Sequence, residues 1–231
     1  MISGLSALQG LASGHVRIAV GEGFIADLIS APMQTFMTAY PGIELEIILA
    51  CVNEAMALVK QCDVELVLLY APPVDPQLTC HVETCHPLDL IVSAGHPLSR
   101  LSAPITLQAL SDWPIGLMDS PFGMRQMVDA VAHQEPISLT PRLHTNSVAV
   151  LKNFVRSGIG VTFMPELSVA EVQQGDITVL PMAYPVMSGA RAQIASLASR
   201  ELTVATRACL DHLRRGMRFF NADAPRLLNE Q

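Results

Sequence analysis

Three apolar segments near the start of the chain, residues 15–20 (HVRIAV), 43–49 (IELEIIL) and 64–70 (VELVLLY), are separated by two stretches of helical periodicity. That order constrains the fold strongly. Parallel strands can be joined only by a crossover of a dozen or more residues, so strand, helix, strand, helix, strand implies a parallel sheet. In the first crossover, Gly21-Glu22-Gly23 turns the chain into a helix with apolar residues at Phe24, Ile25, Leu28, Ile29, Met33, Phe36, Met37 and Tyr40. Pro32 should kink that helix, and Pro41-Gly42 should stop it. The second crossover reads as a helix over 54–61 with Asn53 as its N-cap, and 64–70 reads as a strand buried on both faces.

A similar alternation follows with different content. Strands are expected over 88–93, 115–118, 141–145, 160–164, 177–180 and 193–198. Between them lie a short helical turn at 107–110 capped by Thr106, a helix over 124–133, a helix over 147–157 closed by Gly158, and a final helix over 204–215. Residues 119–123 (DSPFG) form a loop, residues 1–13 carry the rhythm Leu5, Leu8, Leu11 of the last turns of a helix, and the last dozen residues should fray. Two α/β lobes around a cleft are the simplest architecture for such a pattern.

The 231 residues are 50% hydrophobic and 15% charged, which is enough apolar matter for a real core and rules out disorder over most of the length. The longest stretch without charged or polar side chains, 66–74, is broken by Pro72-Pro73 and is far short of the roughly 18 residues a membrane span needs. No basic n-region or continuous apolar h-region opens the chain, so a cytoplasmic location is expected. With 14 Lys and Arg against 21 Asp and Glu, and basic residues clustered only at Arg214, Arg215 and Arg218, this chain alone should not hold nucleic acid tightly. Cys51, Cys62, Cys80, Cys85 and Cys209 are odd in number and irregular in spacing, which suits reduced thiols better than a disulfide framework.

Several motifs invite a chemical reading. Gly21-x-Gly23-x-x-Ala26 follows a strand as a dinucleotide fingerprint would, but the second strand ends in Leu49-Ala50-Cys51 without the acid that holds a ribose, and Glu22 would face the phosphates. Cys80-His81-Val82-Glu83-Thr84-Cys85-His86 gathers metal-ligating types, yet on an extended chain neighbours point to opposite faces and no second ligand pair with zinc spacing occurs. Ser120 and Ser147 precede helices and read as caps or anion-contacting hydroxyls, because no histidine and acid can be assigned to either. No catalytic residues, cofactor or metal site are therefore expected. The eleven methionines read as core filler, with Met33 and Met37 at helical spacing able to serve a contact surface.

Several segments together resemble the effector-binding domain of LysR-type transcriptional regulators. They are Gly14-His15-Val16-Arg17-Ile18; Phe36 with Tyr40-Pro41-Gly42-Ile43-Glu44-Leu45; Val64-Glu65-Leu66; Gly95-His96-Pro97-Leu98; Ile105 to Leu110 with Asp112-Trp113-Pro114; and Val155-Arg156-Ser157-Gly158-Ile159-Gly160-Val161 leading to Pro165. Their order matches the family over about 14–213. Cys62 and Glu65 stand where the family commonly has Gly and Asp, and Gly21-Glu22-Gly23-Phe24 stands where it often offers hydroxyls to an anionic effector. Glu22 is thus expected either to cap its own helix or to pair with a cationic or hydrogen-bond-donating ligand.

The resemblance implies an α/β fold of two Rossmann-like lobes joined by crossover strands, as in type II periplasmic binding proteins, with a small-molecule effector in the cleft. It places the end of a linker helix at 1–13, lobe I at 14–86 plus 200–218, lobe II at 87–199 and a tail at 219–231. Effector contacts are expected from Gly21, Glu22, Gly23, Phe24, Cys51, Val52, Asn53, Tyr70 and His86, and from Asp119, Ser120, Pro121, Phe122, Asn146, Ser147 and Phe163. It also implies a homodimer or tetramer, assembled partly through the helix over 24–40, no membrane partner, and DNA contact only through a winged helix-turn-helix that would precede Gly14 in a longer regulator. A transporter's solute-binding protein and a small enzyme share this architecture and are the alternatives. The first needs export, and the second needs an acid-base set that the sequence does not supply.

Overall fold

A computed structural model describes residues 13–101, 104–137, 139–169 and 175–221. The linker-like rhythm before Ser13 and the frayed tail after Asn221 lie outside the described residues. The chain divides into two compact units. Of the described residues, the first holds 13–69, Pro73–Thr84 and 192–221; the second holds Tyr70–Pro72 and those between Cys85 and Arg191.

In the first unit, β1 (Gly14–Val20), β2 (Ile43–Leu49), β3 (Leu66–Tyr70), β4 (Leu78–Cys85) and β10 (Arg191–Leu197) form one sheet in the order β2-β1-β3-β10-β4. β1 runs parallel to β2, with Gly14 opposite Ile43 and Val20 opposite Leu49, and parallel to β3, with Ile18 opposite Leu66. This is the parallel sheet that the strand and helix alternation requires. Leu66, Val67 and Leu68 have no exposed surface, so β3 is covered on both faces as its composition predicts. β10 runs the other way, because the Ala71 amide just after β3 donates to the Arg191 carbonyl at the start of β10. Residues 192–199, expected in the second lobe, therefore belong to the first unit. Strand partners are chosen by burial and register rather than by order along the chain.

The first crossover is not one kinked helix. A 3-10 turn, Glu22–Phe24, leads into α1 (Ile25–Ser30), and Pro32 begins a separate α2 (Pro32–Ala39), where its missing N–H costs nothing because first-turn amides have no intrahelical partner. The next helix, α3 (Val52–Lys60), starts two residues earlier than expected, with Cys51 and not Asn53 at the N-cap. Lys60 at its end pairs with Asp75. β4, an edge strand of half-buried and exposed residues, carries too weak an alternation to be read from sequence.

The second unit is built on β5 (Leu88–Ser93), which lies antiparallel between β8 (Thr162–Pro165) and β9 (Ile177–Leu180). β6 (Gly116–Met118) and β7 (Leu143–Thr145) form a parallel pair, and the Gly116 amide donates to the Val161 carbonyl at 2.9 Å, linking that pair to the strand region before β8. α4 (Gly123–Ala132) follows β6, α5 (Val148–Arg156) follows β7, and a short α6 (Pro185–Ser188) precedes β10. The core here gathers Leu88, Leu90, Leu107, Leu110, Val128, Leu151 and Phe163. Gly158 closes α5 at φ +69°, the left-handed conformation expected of its C-cap. The last helix, α7 (Val204–Gly216), is capped by Thr203, whose Oγ1 accepts from the Thr206 amide at 3.1 Å.

Candidate functional site

In the first unit, two of the expected loops start side by side. The Ala50 amide donates to the Val20 carbonyl at 3.0 Å, so the turn after β1 and the turn after β2 leave adjacent parallel strands at the same end. Gly21 is further stitched to β3 through its amide, which donates to the Leu68 carbonyl at 3.3 Å. Gly21, Glu22, Gly23 and Cys51 are half-buried, while Asn53 is exposed on the first turn of α3. Phe24 is a different matter. It is 2% exposed, with its ring edge-on to Phe219 at 4.7 Å and stacked on Phe220 at 5.8 Å. Val52 is likewise buried in the core beside Ala55 and Val59. Both expected contact residues are packing residues.

The second unit brings a second group together. β6 and β7 are parallel with Met118 opposite Thr145, so Asp119 and Asn146 also leave their strands at one end. The Asp119 amide donates to the Thr145 carbonyl at 3.0 Å, and the Phe122 amide donates to the Asp119 carbonyl at 3.1 Å, closing Asp119 to Phe122 as a turn. Ser120 and Asn146 are exposed at its surface. Ser147 is the N-cap of α5 by position, but its hydroxyl makes no capping bond; its own amide donates to Thr145 Oγ1 at 3.1 Å. Gly123 follows this turn because no other residue fits: a Cβ there would lie 2.1 Å from the Tyr70 carbonyl oxygen. The Tyr70 hydroxyl donates to the His86 carbonyl at 2.8 Å, so Tyr70, His86 and the Asp119 turn are neighbours. Burial, with Asp89 and Cys85 nearby, holds the Tyr70 phenol well above its ordinary pKa and keeps it a neutral donor. Phe163 does not join them. It pairs with Leu90 inside the antiparallel sheet and is 2% exposed.

Two residues that the sequence reading passed over shape this group. Arg125 on α4 clasps Asp129 through its Nε at 2.8 and 2.9 Å and donates from Nη1 to the Met118 carbonyl at 3.2 Å, pinning the strand end that carries Asp119. The i, i+4 spacing of Arg125 and Asp129 was the signal available for it. Asp89 on β5 is the other; desolvation, then the nearby Glu166 carboxylate, raise its pKa from 3.8 to about 6. Among the described residues, no three His, Cys, Asp or Glu side chains are placed to hold a metal ion. In the sequence cluster around Cys80, alternation along β4 sends His81 to Ser196 and Glu83 to Gln193, while Cys80 bonds back to the Val82 carbonyl.

The model of the LysR substrate binding domain matches residues 9–218. The chain belongs to that family. The domain is 26% identical over 182 residues to the HTH-type transcriptional regulator CbbR of Rhizobium meliloti (strain 1021), covering 76% of this chain and 56% of that protein. It is 21% identical over 173 residues to the transcriptional dual regulator GltC of Bacillus subtilis (strain 168), covering 74% and 57%. The LysR-type chain thus spans little more than half the length of the curated relatives it matches, and those relatives are regulators rather than enzymes. Among solved structures, the Synechocystis PCC6803 CcmR regulatory domain in complex with 2-PG superposes with a TM-score of 0.76 at 23% identity, covering 89% of this chain and 98% of that one. The effector binding domain of QuiR in complex with shikimate gives 0.71 at 19%, covering 88% and 97%. The domain therefore has the type II periplasmic-binding-protein-like fold of its family. Among the described residues, no helix is long and apolar enough to cross a membrane.

Proposed function

We propose that this domain is the effector sensor of a longer LysR-type transcription regulator, and that its effector is a small polar molecule. The observation that carries the reading is the pairing of loops. In each unit two loops leave adjacent parallel strands at one end, and they present Glu22, Cys51 and Asn53 in the first unit and Asp119, Ser120, Asn146 and Ser147 in the second. Each set supplies ligand contacts, with Tyr70 and His86 beside the second. The donors and acceptors are mixed, with two carboxylates among them, which suits a ligand carrying hydroxyl or amino groups better than a bare carboxylate. DNA is bound by a separate segment, and effector binding shifts the domain between states that such a segment reads. Assembly into a homodimer uses the exposed apolar residues of α1, α2 and β2, namely Ile29, Met37 and Leu49, each more than half exposed.

Thermal unfolding against a panel of amines, amino acids, hydroxy acids including shikimate, phosphorylated acids including 2-PG, aromatic acids and nucleotides tests the sensor reading. A ligand at 100 times its Kd adds about 2.7 kcal/mol, a rise of several degrees in Tm. The expected result is a selective rise that Ser120→Ala and Asn146→Ala abolish without lowering the unliganded Tm. No rise with any compound, or one that both variants retain, overturns the assignment of these loops.

A further inference from the structure

The first unit carries an open surface groove with room for about 410 Å³ that none of the expected effector residues line. His81, Ser196, Arg200, Leu202, Arg207 and Leu210 form its walls. It lies at the other end of the sheet from Gly21 and Cys51. β10 begins beside Ala71, just beyond β3, and ends at Leu197, where the Ala198 amide donates to the Gln77 carbonyl just before β4. The groove therefore sits where β3 starts and β10 stops, not where β1 and β2 end.

Its lining combines cationic, polar and apolar side chains. The volume falls in the range of about 300–1,000 Å³ in which small-molecule pockets occur. Among its lining residues, Ser196 is 3% exposed and its hydroxyl meets His81 Nε2 at 2.8 Å. Burial holds the His81 imidazole below its usual pKa, so this pair offers hydrogen bonding without charge at neutral pH. Two arginines, Arg200 and Arg207, stand along its rim. Arg200 Nη2 lies 3.4 Å from Glu65 Oε1, but Arg17 Nη2 lies 3.3 Å from the same oxygen, so two guanidiniums share one carboxylate. Arg207 donates from Nε to the Leu202 carbonyl at 3.1 Å, which fixes its side chain at the wall, and it makes no ion pair among the described residues. Glu201 lines an adjoining hollow of about 10 Å³ that shares Arg200 and Leu202 with the groove. Leu202 and Leu210 supply an apolar flank.

We propose that this groove is a second small-molecule site, taking a compact amphipathic anion whose carboxylate or phosphate head pairs with Arg207 and Arg200 while its apolar body rests on Leu202 and Leu210. An uncompensated cation beside apolar surface and a buried neutral hydroxyl recognises both halves of such a molecule, and neither half alone. Occupancy would tie the start of α7 to β10 at a distance from the effector loops, giving the domain a second input.

The test uses amide chemical shifts of the isotopically labelled chain titrated with hexanoate and with hexyl phosphate; hexanol and sulfate supply the body and the head alone. The expected result is saturable shifts confined to the neighbourhood of His81, Ser196 to Leu202 and Arg207 to Leu210. Binding should weaken about tenfold in Arg207→Ala, as loss of a charge-assisted pair predicts, and vanish in Ala198→Trp, which fills the mouth. Both substituted residues are exposed, so unaltered Tm of the two variants separates lost binding from lost folding. No saturable shift with either anion, equal affinity in Arg207→Ala, or equal response to hexanol would each overturn the proposal. Shifts centred on Asp119 to Phe122 or Gly21 to Phe24 would overturn it too, while supporting the effector loops.

Discussion

The carboxylate of Asp27 on α1 accepts the backbone N–H of Phe219 at 3.0 Å, across 192 residues of sequence. Its second oxygen accepts from Arg218 Nε at 3.1 Å, and the residue is 3% exposed. Phe219 and Phe220 in turn pack on Phe24, and Thr84 Oγ1 donates to the Phe219 carbonyl. One buried acid thus holds Arg218 and Phe219 against the helix that follows Gly21 to Gly23.

Asp27→Ala removes a carboxylate acceptor from a buried N–H, and should lower the unfolding free energy by about 2–3 kcal/mol. Asp27→Asn keeps one oxygen acceptor and should cost about half as much. Urea unfolding of the two variants checks the order; equal costs would mean that the charge, rather than the acceptor, holds the segment.

Asp89 should make stability depend on pH. Its folded pKa, about 6, lies above the ordinary 3.8, because burial and Glu166 disfavour the carboxylate. The folded state therefore binds the proton more tightly than the unfolded chain. Its stabilising contribution is fully present below pH 4, is lost as the pH rises through 6, and is absent above. Partial solvent access limits the change to about 1–2 kcal/mol. Asp89→Asn, which still accepts the Met182 backbone bond but does not titrate, should remove this dependence and be more stable than the parent above pH 7. Tm against pH for both proteins decides it, and parallel curves from pH 4 to 7 would refute the assignment.

Two glycines should respond differently to alanine. Gly158 has φ +69° and open space around its Cα, so Gly158→Ala should cost only about 1 kcal/mol, the price of a left-handed alanine. A Cβ on Gly123 meets the Tyr70 carbonyl at 2.1 Å, which backbone movement alone can relieve. Gly123→Ala should cost at least about 3 kcal/mol, or shift the Asp119 to Phe122 turn with a loss of effector response. Denaturation of both variants, with ligand-dependent Tm for any that fold, checks this contrast.

Local patterning was enough to locate many elements. β2, β5 and β9 begin and end at the expected residues, because apolar runs bounded by turn residues are a short-range signal. The Pro32 break and the Gly158 cap follow from backbone chemistry within one residue. The helix start at Cys51 rather than Asn53 does not, since capping preference yields to where the end of β2 delivers the chain.

What sequence by itself determined was the class of fold, the parallel start of the first sheet, the family, and the loops that gather at the strand ends. Tertiary structure alone decided which of those loop residues are buried in the core. Phe24, Val52 and Phe163 carry the right chemistry in the right segments, yet Phe219 and Phe220, Ala55 and Val59, and Leu90 cover them. It also decided that β10 closes the first sheet, and that Arg207 meets Ser196 and His81 around one groove. Periodicity reports which face of an element is buried, because that depends on neighbours a turn or a strand step away. Which distant segment does the burying depends on long-range register and on packing against the rest of the core, and no local pattern encodes that choice.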